Sequence, residues 1–294
     1  MASDVTIALL TKNAGPLLDR VIAGINAQKT ERSVELIAVD SDSTDETLRR
    51  LTEAGFVVMP YGSSPFNFGL AREIAYTAAG GEFVVNLSQD AVPAKESWLE
   101  SLLKPFADPS VAVSCGRSIP DPERGFPQFA WERNGRFYFT REIRKFTQQY
   151  GRGLSFSNSA VRRSVWKEHP FEAIALGEDF QFQQKLADTE YGIVFVDDAP
   201  VLHHHNYDLE NLRARCRNEG AALRELGCPY GAGDLMLDVM RPGIWMQWLR
   251  ELAAGRMISP AEWWFPLVRP WNVYQGNRGG GAFAEYRPET VSDG

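Results

Sequence analysis

Cysteine is scarce. The chain of 294 residues has three, Cys115, Cys216 and Cys228. An odd number with no metal-type spacing excludes a disulfide framework and fits a reducing compartment. A glycine-rich turn is missing after the first apolar run, which leads into Thr11-Lys12-Asn13-Ala14-Gly15. That argues against a nicotinamide enzyme, whose fingerprint sits there. No apolar run is long enough to span a membrane, and Met1 to Asp4 leads straight into a strand pattern with no leader-like segment. The expected location is therefore cytoplasmic, with the inner membrane face as a variant of it. Positive charge is not in excess either. The formal charge of −7 argues against nucleic acid as a partner. A phosphate-bearing substrate would need local positive charge from a metal or from placed arginines.

What is present is an ordinary globular composition, 44% hydrophobic. The length suits one large domain, or one domain with an appendage. Charge is unevenly spread. From Asn211 to Gly294 there are ten Arg, no Lys and nine acids, so that part is +1 and the rest −8. Five of the eight tryptophans follow Gly243. A boundary near Asp208 is expected, with a main domain over 1–207 and a helical, Trp/Arg-rich extension over 208–294. The Gly279-Gly280-Gly281 run and the tail after Arg287 are expected to be flexible.

Apolar runs at Val5–Leu10, Val34–Val39, Phe56–Met59 and Phe83–Leu87 read as strands. Helical spacing over Leu17–Gln28, Thr44–Ala54 and the segment after Pro65 alternates with them. Ser43 and Glu46 have capping-box spacing for the second helix. This predicts an α/β, doubly wound, mainly parallel sheet flanked by helices. A helix over Ser97–Phe106 and a strand over Val111–Cys115 continue it. Arg117 to Gly153 has no clean period beyond one helix near Arg141–Gln149, and a loop that long is usually functional or mobile. A helix from Asp179 to Ala187 and short strands at Ile193–Val196 and Pro200–Leu202 complete the domain.

Acids stand where open α/β sheets bind ligands, after the strands' carboxyl ends. Asp40 ends the second strand. Asp90 follows the fourth, where it either binds a divalent ion bridging two phosphates or caps a helix near Ala94. Arg72 lies one turn into the third helix. Glu178-Asp179 either serves chemistry or caps its own helix. In the run His203-His204-His205, strand alternation puts His203 and His205 on one face and His204 on the other.

Six segments in order carry a resemblance. They are Thr11-Lys12-Asn13, Val39 to Asp45, Phe66-Asn67-Phe68-Gly69 with Arg72, Leu87-Ser88-Gln89-Asp90-Ala91, Gly177-Glu178-Asp179, and His203 to Tyr207. Over roughly residues 4 to 210 the chain resembles the family-2 glycosyltransferases with the GT-A fold. It looks most like bacterial rhamnosyltransferases of cell-surface polysaccharide assembly. The resemblance implies inverting, metal-dependent transfer from a nucleoside diphosphate sugar. The donor would be dTDP-rhamnose or another pyrimidine sugar. Thr11, Asn13, Asp40, Asn67, Arg72, Gln89 and Asp90 would bind it. Asp40 would meet the pyrimidine, and Arg72 the base or diphosphate. Asp90, with His203 or His205, would hold Mg²⁺ or Mn²⁺. Ser88 stands where the family's signature has its first acid, which leaves the metal fewer protein ligands. Asp179, with Glu178 next, would take the acceptor's proton.

The acceptor expected from the resemblance is a saccharide, free or on a polyprenyl diphosphate. Leu209 to Leu226 reads as a basic amphipathic helix, with Leu212, Ala221 and Leu223 opposite its arginines. Two Trp-rich segments follow it. Peripheral membrane contact, packing on the main domain and a homodimer interface all fit that composition. Two other functions compete. A nucleotidyltransferase would open with a basic, glycine-rich loop, which is missing. A carbohydrate-binding scaffold on a decayed transferase fold would not need Asp40, Arg72, Asp90 and Asp179.

Overall fold

The computed structural model describes residues 3–62 and 65–279. The expected flexible run from Gly280 on and the polar tail lie outside the described residues. Two compact units divide the chain. One holds the residues through Pro120 together with Leu154–His203. The other holds Asp121–Gly153 and the described residues from His204 on.

The first unit is built on a sheet of eight strands among the described residues. These are β1 (Val5–Thr11), β2 (Val34–Asp40), β3 (Val57–Pro60), β4 (Phe83–Ser88), β5 (Val92–Pro93), β6 (Val111–Ile119), β7 (Asn158–Arg162) and β8 (Gly192–Leu202). The order is β3-β2-β1-β4-β7-β6-β8-β5. β1 to β4 are mutually parallel. β7 is antiparallel to both β4 and β6, so β6 and its parallel neighbour β8 run with β4. β5 is antiparallel to β8. Six strands thus share one direction, four and then two. The α/β layout with a mainly parallel sheet is as expected, although β7 makes the sheet mixed.

The helices of this unit are α1 (Leu17–Asn26), α2 (Thr47–Glu53), α3 (Phe68–Ala78), α4 (Trp98–Leu103), α7 (Arg163–Glu168) and α8 (Glu178–Leu186). Two more, α5 (Ala130–Arg133) and α6 (Arg141–Tyr150), fall between them in sequence and belong to the second unit. Alternation along the strands makes two cores. Val5, Ile7 and Leu9 of β1 pack with Leu18 and Val21 of α1 on one face, whereas Ala8 packs with Ala71 and Tyr76 of α3 on the other. Each buried Val, Leu or Ile among these contributes about 1.5–3 kcal/mol.

Four local expectations need correction. The Ser43–Glu46 capping box does not form. The Ser43 hydroxyl donates to Asp40 instead, and α2 starts only at Thr47 without a side-chain cap. No helix begins near Ala94, because Val92–Pro93 pairs with β8 as a strand, so α4 starts at Trp98 behind Ser97. The two short strands near residue 200 are one strand, β8, whose two ends both pair with β6 across a register shift. β7 was not expected at all.

The second unit continues with α9 (Leu209–Glu225), α10 (Ala232–Val239), α11 (Pro242–Ala253) and α12 (Pro260–Arg278). Its core is aromatic: Trp131 stacks on Phe265 at 5.1 Å, and Phe129 meets Phe265 edge-on at 5.5 Å. α9 buries Leu212, Cys216, Ala222 and Leu223, with Ala222 in place of the expected Ala221. α9 and α12 cross closely at two glycines. A Cβ on Gly276 would sit 1.9 Å from the Arg217 carbonyl oxygen, and one on Gly220 would sit 2.3 Å from that of Val273.

Candidate functional site

The parallel register places Thr11 beside Asp40 and Leu10 beside Ser88, so the loops after β1, β2 and β4 start at one level. β1 lies between β2 and β4, which makes this the point where the chain's winding reverses. In open α/β sheets a ligand crevice forms at such a point.

Side chains bind these loops to one another. Asp40 is buried, and its carboxylate accepts from the Thr11 hydroxyl at 2.8 Å, the Ser43 hydroxyl at 2.6 Å and the Ser43 amide at 2.8 Å. Asn13 adopts the left-handed region, φ +46°, which Asn tolerates better than most residues. From there its Oδ1 accepts from the Thr44 amide at 2.8 Å, and its own amide donates to Ser43 at 2.8 Å. Gln89 clamps Lys12 through both backbone groups, at 2.9 and 3.2 Å. Thr11, Asn13, Asp40 and Gln89 therefore shape the crevice by tying its three loops together. Asn67 has a similar duty. It caps α3 by accepting from Leu70, and it also accepts from the Ile174 amide at 3.1 Å.

Asp90 and His203 come together through β5. The antiparallel pairing of Val92 with Leu202 brings the residues just before β5 beside those just after β8. Asp90 Oδ1 lies 3.3 Å from His203 Nε2, and both side chains are mostly buried. Asp90 is not a helix cap. A carboxylate and an imidazole this close fit a divalent cation of the Mn²⁺ type by their donor chemistry.

His204 and His205 belong to the second unit. His204 points elsewhere, as alternation requires. Its Nδ1 accepts from the Asp121 amide at 3.0 Å, its Nε2 lies 3.1 Å from the Phe126 carbonyl, and burial pushes its pKa down. His205 Nδ1 lies 3.4 Å from Glu132. Burial pushes Glu132 up, but His205, Arg215 and Tyr207 outweigh that and hold it below the usual range. A carboxylate behind one imidazole nitrogen orients the ring and its other nitrogen.

The second acidic group centres on Glu178. Gly177, at φ +88°, turns the chain into α8. Only glycine adopts this conformation without strain. Glu178 is 4% exposed and Arg72 7%. Arg72 Nε donates to Glu178 Oε1 at 2.7 Å, its Nη1 donates to Asn86 at 3.0 Å, and its guanidinium lies 4.8 Å over the Phe156 ring. Two donors of Arg72 are thus committed inside the fold, and Glu178 is an ion-pair partner and no helix cap. Asn86 points to this side because it alternates with Val85 and Leu87, and its amide continues to the Tyr76 hydroxyl at 2.8 Å. Asn86, Tyr76 and Phe156 were not singled out from the sequence. Asn86 left one signal, a polar residue inside an apolar strand, which is costly without partners.

Asp179 follows, half-buried. Burial first, and the Glu178 charge second, push its carboxyl up to about 7, against the Phe180 amide and Arg72. A carboxyl poised there can take or give a proton near neutral pH.

Residues 6–169 match the family model of Glycosyl transferase family 2. The chain belongs to that family. It is 30% identical over 213 residues to the O-antigen chain rhamnosyltransferase RfbN of Salmonella typhimurium, an alignment spanning 69% of this chain and 67% of that one. It is 31% identical over 215 residues to the O-antigen chain rhamnosyltransferase WbaN of Salmonella anatum, over 69% and 66%. Solved structures share the fold at low identity. The mannosyltransferase PcManGT of Pyrobaculum calidifontis, in complex with GDP-Man and Mn²⁺, superposes with a TM-score of 0.64 at 18% identity, covering 94% of this chain and 87% of that one. Glucosyl-3-phosphoglycerate synthase of Mycobacterium tuberculosis, with Mn²⁺, UDP-glucose and phosphoglyceric acid, gives 0.59 at 21%, covering 77% and 81%. The fold is GT-A-like and the protein is a glycosyltransferase. No helix among the described residues is long and apolar enough to cross a membrane.

Proposed function

We propose that this glycosyltransferase moves a hexosyl group, L-rhamnose first among candidates, from a nucleoside diphosphate to a saccharide or lipid-linked saccharide in cell-surface glycan synthesis, with inversion. The preference for rhamnose, and for dTDP as its carrier, rests on the two relatives named as rhamnosyltransferases. In this reading residues 1–207 carry the chemistry, 208–294 are an extension, and the enzyme works in the cytoplasm at the membrane's inner face.

The observation that carries the reading is Asp179, whose carboxyl sits near 7 beside a buried ion pair. It takes the acceptor hydroxyl's proton as that oxygen attacks the anomeric carbon. The bond from that carbon to the diphosphate breaks, and the nucleoside diphosphate leaves with the electron pair. Glu178 and Arg72 position Asp179 and set its acidity. Thr11, Asn13, Asp40 and Gln89 hold the crevice in which the nucleotide lies, and Asn67 fixes the start of α3 beneath it. Asp90 and His203 would hold the divalent cation. That cation would supply charge neutralisation for the departing diphosphate.

The test is thermal melting with dTDP, UDP and GDP, each with and without Mn²⁺, followed by turnover with the matching sugar nucleotides. Metal-dependent stabilisation by one diphosphate, and sugar transfer from its donor, are expected. No shift with any of them would favour a carbohydrate-binding scaffold.

A further inference from the structure

The second unit carries an apolar surface that sugar transfer does not explain. Between α10 and α12 runs a groove of about 440 Å³. Leu235, Met236, Val239 and Met240 line one side, and Leu267 and Trp271 the other. Met236, Met240 and Trp271 are more than half exposed. The stripe continues along α12 to Trp264, since 264, 267 and 271 share a helix face. On α11, Met246, Leu249 and Arg250 likewise share an exposed face.

Charge says what covers it. From Ala232 to Gly279 there are four acids, and all turn inward. Asp234 pairs with Arg141 and Lys145, Asp238 with Arg241, and Glu251 with Arg256, while Glu262 closes a capping box with Ser259. The charged side chains left exposed in this stretch are Arg250, Arg256 and Arg278. One more exposed arginine, Arg213 of α9, lines the groove itself. Between Ala232 and Gly279, exposed tryptophans beside aliphatic side chains, with cations and no exposed acid, match the boundary between acyl chains and anionic headgroups, while on α9 the exposed Glu210 lies one turn before Arg213.

We propose that this α10–α12 face docks on an anionic phospholipid bilayer. Acyl carbons enter the groove, and Arg213 lies beside the headgroup phosphates. The surface anchors the enzyme without spanning the membrane.

Flotation of the full chain with phosphatidylcholine vesicles, with and without phosphatidylglycerol, tests this. Binding should require phosphatidylglycerol and weaken at high salt. Met236→Glu with Met240→Glu should lower partitioning on the order of tenfold or more, because apolar contacts are replaced by repelled charge. Arg213→Glu should also lower it, and provides a second variant that leaves the apolar lining intact. Sedimentation of the same proteins checks the alternative occupant. Failure to float at any phosphatidylglycerol content, or variants that float like the wild type, would overturn the proposal. So would a wild-type dimer that the variants make monomeric without any vesicle binding, since the face would then join two copies. Sugar transfer to a soluble acceptor should be unchanged in these variants.

Discussion

Asp179 has a pKa pushed up to about 7, by burial first and Glu178 second, from an ordinary carboxylate value. The folded state therefore keeps a proton that the unfolded chain releases between about pH 4 and 7. Its contribution to stability falls across that window as pH rises, and the loss is complete above it. Activity goes the other way, because the base must be ionised: turnover should climb through pH 7 and level off. Glu178→Gln removes the charge that raises Asp179, so the rise should move to lower pH. A pH–rate profile that stays in place would contradict this coupling. The same variant leaves Arg72 buried without its counter-charge, at a cost of about 3–5 kcal/mol in denaturant unfolding. Asp179 and Glu178 were legible because two adjacent acids behind a glycine at a helix start are conspicuous. The partner of Arg72 was not, since Arg72 and Glu178 are 106 residues apart in the chain. The pair joins the amino-terminal parts of α3 and α8, which no local pattern relates.

At the scale of elements, the α9–α12 crossing is packed tightly enough to require glycine at Gly220 and Gly276. Gly276→Ala would drive a methyl into the Arg217 carbonyl, where backbone cannot yield cheaply. A loss of about 1–3 kcal/mol or more is expected from overpacking. Chemical denaturation monitored by tryptophan fluorescence measures it, and a change below about 0.5 kcal/mol would show that the helices separate freely. The repeating apolar strands β1, β2 and β4 and helices α1, α3, α8 and α9 were readable from period alone. β7 was not, because Asn158-Ser159-Ala160-Val161-Arg162 has no apolar alternation, and its place is set by strands far away in the chain. The α2 cap failed for a related reason. Ser43 had two possible partners, each three residues away, and the Asp40 carboxylate, buried at the end of β2, took its hydroxyl.

For the whole molecule, composition located a distinct carboxyl-terminal part but not what it recruits. Arg117 to Gly153 reads as a long irregular excursion because aromatic residues within it find their partner, Phe265, more than a hundred residues later. The proposed reaction divides its labour between Asp90 with His203 and Asp179. His203→Ala should weaken Mn²⁺-dependent binding of the nucleoside diphosphate by at least tenfold, read by calorimetry, and leave metal-free binding unchanged. The most direct test measures donor affinity and turnover together in Asp179→Asn and Asp90→Asn. The account predicts that Asp179→Asn binds donor and metal as the wild type does yet transfers sugar about 10²–10⁴-fold more slowly, the usual contribution of a general base. Asp90→Asn should lose both metal-dependent donor binding and turnover. Undiminished transfer by Asp179→Asn, or metal-dependent donor binding by Asp90→Asn equal to the wild type, would contradict it.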